Sequence, residues 1–229
     1  MTADAILYAC NTVAVGLFGI VLSAAFCNIR WDRRNVCYMT AATAAIFLIQ
    51  GIVYLWMDPT LVVYLYPIHT HLPLALVLCL LSHERLWPVI SVLTAYLCCQ
   101  LRRWLALVCV WVFSGGDQMQ YAVELIVTLP LLLLLLRTAP AVRSISRYSV
   151  TVQCQFGFTP ALYYAFDYLT RVYTNLLADG DPAVVEFMPF VCCVAYLMFL
   201  ARLSKEQEAR AHLEQLQNSL NLQVGQAVR

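Results

Sequence analysis

Charged side chains are scarce in this chain. They make up 12% of its 229 residues, while 62% of the residues are hydrophobic, whereas about a quarter of a soluble globular domain is charged. The mean hydropathy of +0.73 reflects the same imbalance. The formal net charge is only +1, so the clustered excess of Lys and Arg that nucleic-acid binding requires is lacking. The composition therefore argues against a soluble domain and a nucleic-acid partner, and it predicts an integral membrane protein.

Recognisable catalytic and metal-binding motifs are also missing. The sequence contains no GxSxG, no HExxH and no Gly-rich phosphate loop, so no reaction class is indicated. Most of the ten cysteines lie in apolar runs and none has CxxC spacing, which predicts buried thiols and no metal site. Residues 1–4 lack the basic segment of a cleaved signal peptide, so we expect the first apolar run to stay as a transmembrane helix.

The apolar runs predict an all-α, polytopic transmembrane bundle of about seven spans. A helix needs ~20 apolar residues to cross the hydrocarbon core, and six runs fit this length directly: about 5–27, 37–57, 61–81, 120–136, 151–175 and 183–203. The run 86–113 is interrupted by Gln100, Arg102 and Arg103. It is therefore either one long span or two short half-helices.

The basic residues predict the orientation of the bundle. When 86–113 counts as one span, eleven of the fourteen Lys and Arg residues fall on one side, and the opposite loops contain aspartates but no Lys or Arg. Lys and Arg in short loops mark the cytoplasmic side. We therefore expect a multi-pass plasma-membrane protein with its N-terminus outside and its C-terminus in the cytoplasm. An eighth span would separate the basic loop 28–36 from the basic tail.

Some ionisable residues remain inside the predicted spans, where they are costly and by default mark function. Asp167 and Arg171 are four residues apart, so they share one helix face and are expected to pair. The predicted ligand-binding or signalling network consists of Arg102, Arg103, Glu124, Tyr163, Tyr164, Asp167, Tyr168, Arg171 and Glu186. The alternative is structural: the charges neutralise one another and the tyrosines form an interfacial belt.

Two prolines and two histidines stand close together in the third predicted span. Pro67 and Pro73 are expected to kink the helix and free backbone carbonyls. His69 and His71 are two residues apart, so on a regular helix they point to different faces and do not share a metal ion. These four residues predict a hinge with hydrogen-bonded histidines.

The composition changes abruptly after residue 203, which divides the chain into a transmembrane bundle, 1–203, and a cytoplasmic helical stalk, 204–229. Helix formers dominate the stalk, and Ala209, Leu213, Leu216 and Leu220 follow the spacing of coiled-coil a and d positions. A lone helix of this kind is marginal in water. We therefore expect a homodimer through this seam, and the pattern, still running at Arg229, suggests that an output domain follows.

Three segments and the stalk give this chain a resemblance to a known family. They are Leu93–Trp104 (LTAYLCCQLRRW), Tyr163–Thr174 (YYAFDYLTRVYT) and Val185–Phe190 (VEFMPF). The chain resembles the multi-span sensor regions of GHKL-class receptor histidine kinases, similar to bacterial peptide-pheromone receptors. The resemblance implies a phosphoacceptor helix and an ATP-binding kinase domain beyond this chain, acting on a response regulator. No cofactor is expected in the chain itself, and His212 lacks the surroundings of the family's phosphoacceptor.

The leading functional hypothesis is a membrane sensor that responds to a small ligand or peptide, or to the membrane lipid, and relays the signal through its last helix. One alternative is a small transporter or channel whose intramembrane charges line a path. A second alternative is an intramembrane enzyme using Cys98 or Cys99 with His69 or His71.

Overall fold

The computed structural model consists of helices in two separate units. It describes residues 3–27, 29–57, 62, 65–82, 84–148, 150–168, 192–194, 196–198, 200, 203, 205, 207–209 and 211–220. The first unit is Met1–Cys193 and the second is Val194–Arg229. Throughout the described residues every regular element is helical, so the all-α prediction is confirmed for this part of the chain.

The described residues of the first unit form six α-helices and two short helical turns. They are α1 (Ala3–Phe26), α2 (Arg33–Trp56), a π-helical turn (Pro67–His71), α3 (Leu72–Ser82), α4 (Leu86–Phe113), α5 (Asp117–Ser144), a 3-10 turn (Ile145–Arg147) and α6 (Val150–Tyr168). Four helical stretches among the described residues are long and apolar enough to cross a membrane: Ile6–Phe26, Arg33–Trp56, Leu86–Phe113 and Asp117–Arg147. The chain is therefore a helical membrane protein. Seven spans and the orientation of the termini stay predictions, because most of 169–203 lies outside the described residues.

The run 86–113 forms one continuous helix. α4 extends over 28 residues and ends at Ser114, whose φ of 51° is in the left-handed region. A left-handed residue is a common helix terminator, although glycine usually occupies it. The helix continues past Gln100 and Arg102 because the Arg102 side chain is buried against other helices, where its charge finds partners away from lipid.

α5 is longer than the sequence predicts. The expected span ended near residue 136 and was followed by a loop over 137–150, but the helix continues through Pro130 and Pro140 to Ser144. Each proline removes one backbone hydrogen bond. Ala139, Val142 and Ile145 are at most 2% exposed, so packing of the last turns offsets that loss. The prediction of a loop at 137–144 was wrong, because local breaker residues were outweighed by tertiary burial.

α4 is the central helix of the first unit. It packs against α1, α3, α5 and α6, and Trp87 at its start is 1% exposed and donates from Nε1 to the Phe26 carbonyl at 3.0 Å. Gly157 of α6 lies so close to Ile90 that an added Cβ would be 2.7 Å from Ile90 Cγ1. Polar residues in the middle of α4 therefore face neighbouring helices on several sides.

The second unit contains helical residues of the stalk. Residues 211–220 are helical and exposed. Leu213, Leu216 and Leu220 are 64%, 48% and 58% exposed, and Ala209 is exposed as well. The expected seam thus lies on a helix and has an open surface, while its pairing in a coiled coil stays a prediction.

Candidate functional site

A buried ion pair joins α4 to α5. Arg102 Nη2 lies 3.6 Å from Glu124 Oε2, and the two side chains are 3% and 5% exposed. Arg102 Nη1 also donates to Asn11 Oδ1 at 2.8 Å and to Thr128 Oγ1 at 2.9 Å. The side-chain amide of Asn11 in turn donates to Glu124 Oε2. One polar network therefore ties α1, α4 and α5 together.

Further hydrogen bonds hold the carboxylate end of this network. Gln120 Nε2 donates to Glu124 Oε1 at 3.1 Å, and Thr128 Oγ1 donates to the Glu124 carbonyl at 2.6 Å. The guanidinium end is less complete, because Arg102 Nε is buried and has no hydrogen-bond partner among the described residues. A buried donor without an acceptor is costly, so the hydrogen bonding of the Arg102 guanidinium is incomplete at this nitrogen.

A second cluster, rich in tyrosine, lies between the π-helical turn, α4 and α6. Asp167 accepts hydrogen bonds from Tyr96 and, at 3.4 Å, from Tyr163. Tyr164 shares a hydrogen bond of 2.9 Å with His71 Nδ1, and its ring centroid lies 4.8 Å from that of Tyr96. The predicted aromatic surroundings of Asp167 are thus present as a packed cluster.

The predicted hinge contains a π-helical turn. Pro67 begins this turn and His71 ends it, and such turns occur frequently at functional sites. Thr70 is buried and accepts a hydrogen bond of 3.1 Å from Gln50 of α2. His69 Nδ1 is buried without a hydrogen-bond partner among the described residues, whereas His71 contacts three tyrosine rings. Both histidines contact the Tyr66 ring, while their Nδ1 atoms differ: that of His71 shares a hydrogen bond with Tyr164, and that of His69 has no partner within the described structure.

A cavity of about 220 Å³ lies between the ion-pair network and the hinge; we name it the central cavity. Arg102 and Glu124 line it together with Thr70 and His71 of the π-helical turn. Its wall also includes Gly16, Gly19, Tyr66, Tyr96, Cys99 and Arg103. The central cavity is thus a small volume lined by cationic, carboxylate, phenol and imidazole side chains. In the described part of the chain, no group of three His, Cys, Asp or Glu residues could hold a metal ion.

The structure gathers some of the predicted site residues and separates others. Arg102, Arg103, Glu124 and His71 line the central cavity, while Tyr163, Tyr164, Asp167 and Tyr168 form the neighbouring tyrosine cluster. Pro67 and Pro73 stand at the start of the π-helical turn and in the first turn of α3. Arg171 and Glu186 lie outside the described residues, so the proposed pairing of Asp167 with Arg171 stays a prediction.

Sequence reasoning missed two residues that hold the site together. Asn11 bridges both members of the ion pair, and Tyr96 connects Asp167 to the ring contacts around His71. A signal was present for Asn11, because a buried amide in an apolar span needs a hydrogen-bond partner. Tyr96 carried no such signal, since tyrosine is common in membrane spans.

Comparison with protein-family models, with curated proteins and with solved structures finds no match for this chain. A functional assignment therefore has to come from the chemistry of the central cavity and its surroundings.

Proposed function

We propose that this chain is the membrane-embedded sensor region of a bacterial signalling protein, and that the central cavity receives a small polar ligand. The observation that carries this proposal is a buried ion pair, incompletely hydrogen-bonded at Arg102 Nε, beside a cavity that also touches the hinge. Buried ion pairs add little net stability, and ionisable groups inside a membrane protein are retained mainly for function. A purely structural role explains neither the unsatisfied donor at Arg102 Nε nor the cavity beside the ion pair.

The dimensions of the cavity restrict the ligand. Sites for drug-sized molecules usually have volumes of about 300–1,000 Å³, whereas the central cavity has about 220 Å³. A small metabolite fits, and so does one side chain of a peptide whose remainder stays outside. An acceptor group on the ligand, such as a carboxylate, would satisfy Arg102 Nε and compete with Glu124 for the guanidinium.

The hinge supplies a way for ligand binding to change the conformation of the bundle. Thr70 and His71 belong to the π-helical turn and also line the cavity. A π-helical turn next to proline is a point at which a helix can change its winding. A ligand that fits only one winding shifts the population toward it. The last helix then relays the change to the stalk, whose open leucine surface supports dimerisation.

The output side of the proposal rests on the resemblance to sensor histidine kinases. In this proposal the dimeric stalk leads to a kinase domain that uses ATP and phosphorylates a response regulator. The dimer supplies the symmetry in which a rotation of the stalk can control the output. Register along the stalk would then matter more than the identity of its exposed residues.

Access to Cys99 tests the proposal against the transporter alternative. Cys99 lines the central cavity, while its neighbour Cys98 is 2% exposed and does not line it. Right-side-out and inverted membrane vesicles are treated with a small, charged methanethiosulfonate reagent, and labelling of both cysteines is read by peptide mass spectrometry. A sensor cavity open to one side predicts that Cys99 is labelled from that side only, with Cys98 unlabelled throughout.

Two results would contradict the sensor proposal. Labelling of Cys99 from both sides would indicate alternating access and favour a transporter. Protection of Cys99 from both sides would show that no soluble ligand enters the cavity.

One observation favours the intramembrane-enzyme alternative: Cys99 and His71 line the same cavity. His71 Nδ1 shares its hydrogen bond with Tyr164, which leaves only Nε2 to serve as a base. A Cys99→Ala variant that retains ligand response would exclude a need for nucleophilic chemistry at this position.

A further inference from the structure

A second opening, which we name the interfacial crevice, lies where α2 begins and α3 ends. It has a volume of about 900 Å³. Its polar end is formed by Arg30, Arg34 and Tyr38, and its apolar walls include Ala42, Val77 and Leu80. The lining of the crevice therefore changes from cationic to apolar along α2, from Arg34 through Tyr38 to Ala42.

Local hydrogen bonds hold the polar end in shape. Asn35 Nδ2 donates to the Arg30 carbonyl at 2.9 Å, and the Asn35 backbone N–H donates to Asp32 Oδ1 at 2.8 Å. The Arg34 guanidinium lies 5.5 Å from the centre of the Tyr38 ring. Asp32 also lines the crevice, but its carboxylate caps the start of α2. The polar end thus contains two guanidinium groups and one carboxylate, which gives it a net charge of +1.

The exposed side chains around the crevice indicate its depth in a bilayer. Trp31 and Tyr38 are 57% and 49% exposed, and such aromatic residues are enriched at the level of the lipid headgroups. Leu80, on the apolar wall, is 75% exposed. The cationic end is therefore at the depth of the headgroups, and the apolar end faces the acyl chains.

We propose that the interfacial crevice binds one anionic phospholipid of the surrounding bilayer. Its phosphate lies between Arg30 and Arg34, and an acyl chain covers Ala42, Val77 and Leu80. The charge of the polar end is complementary to a phosphodiester, and the apolar wall distinguishes a lipid from free phosphate or a nucleotide, which have nothing to cover it. The site is separate from the central cavity and does not depend on the sensor proposal.

Native mass spectrometry tests the role of the two arginines. The full chain is released from nanodiscs that contain equal amounts of phosphatidylglycerol and phosphatidylcholine, and retained lipid is counted. A direct charge-assisted contact between an arginine and a phosphate strengthens binding by about tenfold. The Arg30→Gln/Arg34→Gln variant should therefore lose at least fivefold of its retained phosphatidylglycerol. The matched control, Arg33→Gln/Arg85→Gln, removes the same charge from exposed residues that do not line the crevice. It should change retention by less than about twofold, because lipid attracted only by general surface charge dissociates when the bilayer is removed.

A second pair of variants tests the apolar wall with every arginine in place. Ala42 lines the crevice, whereas the neighbouring Ala41 is exposed outside it. Ala42→Trp should displace the lipid and Ala41→Trp should not, and matching thermal-unfolding midpoints would show that both variants fold. Inorganic phosphate and sn-glycerol 3-phosphate at millimolar concentration should not compete.

The lipid proposal is overturned if the two arginine variants lose lipid equally, because retention would then report general surface charge. It is also overturned if neither variant loses lipid, if the two tryptophan variants behave alike, or if free phosphate displaces the bound lipid.

Discussion

Replacing Glu124 by Gln would remove the negative partner of Arg102 while keeping the shape of the side chain. The Arg102 guanidinium would then stay charged at 3% exposure. It would keep its hydrogen bonds to Asn11 and Thr128 but would lose the only carboxylate with which the described structure places it in an ion pair. Arg102→Gln creates the opposite defect, since the Glu124 carboxylate would remain buried without its cation.

The burial of both groups sets the expected cost. Breaking a buried ion pair by removing one partner typically costs about 3–5 kcal/mol. We expect the lower end, about 3 kcal/mol for each single variant, because the neighbouring amide and hydroxyl groups continue to hydrogen-bond the remaining charge. The double variant, Arg102→Gln/Glu124→Gln, leaves no buried charge in the pair. It should cost about 4 kcal/mol instead of the additive 6, which is a coupling free energy of about 2 kcal/mol.

Equilibrium unfolding in mixed detergent micelles, followed by far-UV circular dichroism, measures this double-mutant cycle. The matched control pairs Glu124→Gln with Arg85→Gln. Arg85 is exposed and is not among the residues that line the central cavity, so this cycle should be additive within about 0.5 kcal/mol. The reasoning is refuted if the Arg102 cycle is additive to the same degree, because the two buried groups would then not depend on each other.

Three further predictions concern packing, the stalk and orientation. Gly157→Ala should destabilise the bundle by about 1–3 kcal/mol, since the new Cβ would overlap Ile90, whereas Gly51→Ala, which has open space around it, should stabilise it by about 0.4–1 kcal/mol in the same unfolding assay. Oxidative cross-linking in membranes should give dimers of the Leu216→Cys variant, at a seam position, well above the background from native cysteines. Asn218→Cys, on the opposite face of the helix, should give little increase. Equal dimer yields from the two variants would argue against the seam. A reporter enzyme fused to the end of the chain should be active in the cytoplasm, and external activity would contradict the proposed orientation.

The local features of the fold were predictable, and the meeting of distant residues was not. A helix irregularity near Pro67 and Pro73 was predictable, because proline has the same local effect wherever it occurs in a helix. The helical state of residues 211–220 followed from the composition of the stalk. By contrast, Pro140 was expected to lie in a loop, yet it lies inside α5 because the turns around it are buried.

The central cavity shows where sequence reasoning stopped. Arg102 and Glu124 were singled out as ionisable residues inside predicted spans, which needed only the bounds of each span. Asn11 was not singled out. It lies 91 residues from Arg102 and 113 residues from Glu124 in the chain. Depth along a helix can be counted from residue numbers, but the direction in which a side chain points around the axis depends on packing with other helices.

The sequence by itself determined that this chain is a helical membrane protein, because a bilayer requires long apolar runs whose backbone groups are all bonded within the segment. It could not determine which face of each helix points inward. In a soluble protein the buried face is marked by its apolar residues, but here the lipid-facing side is apolar too. Leu78 is 0% exposed and Leu80 is 75% exposed, although the two residues are chemically identical and stand two residues apart in the same run. Only the tertiary structure decides which of the two leucines is buried. In the same way it decides which polar groups meet in the central cavity.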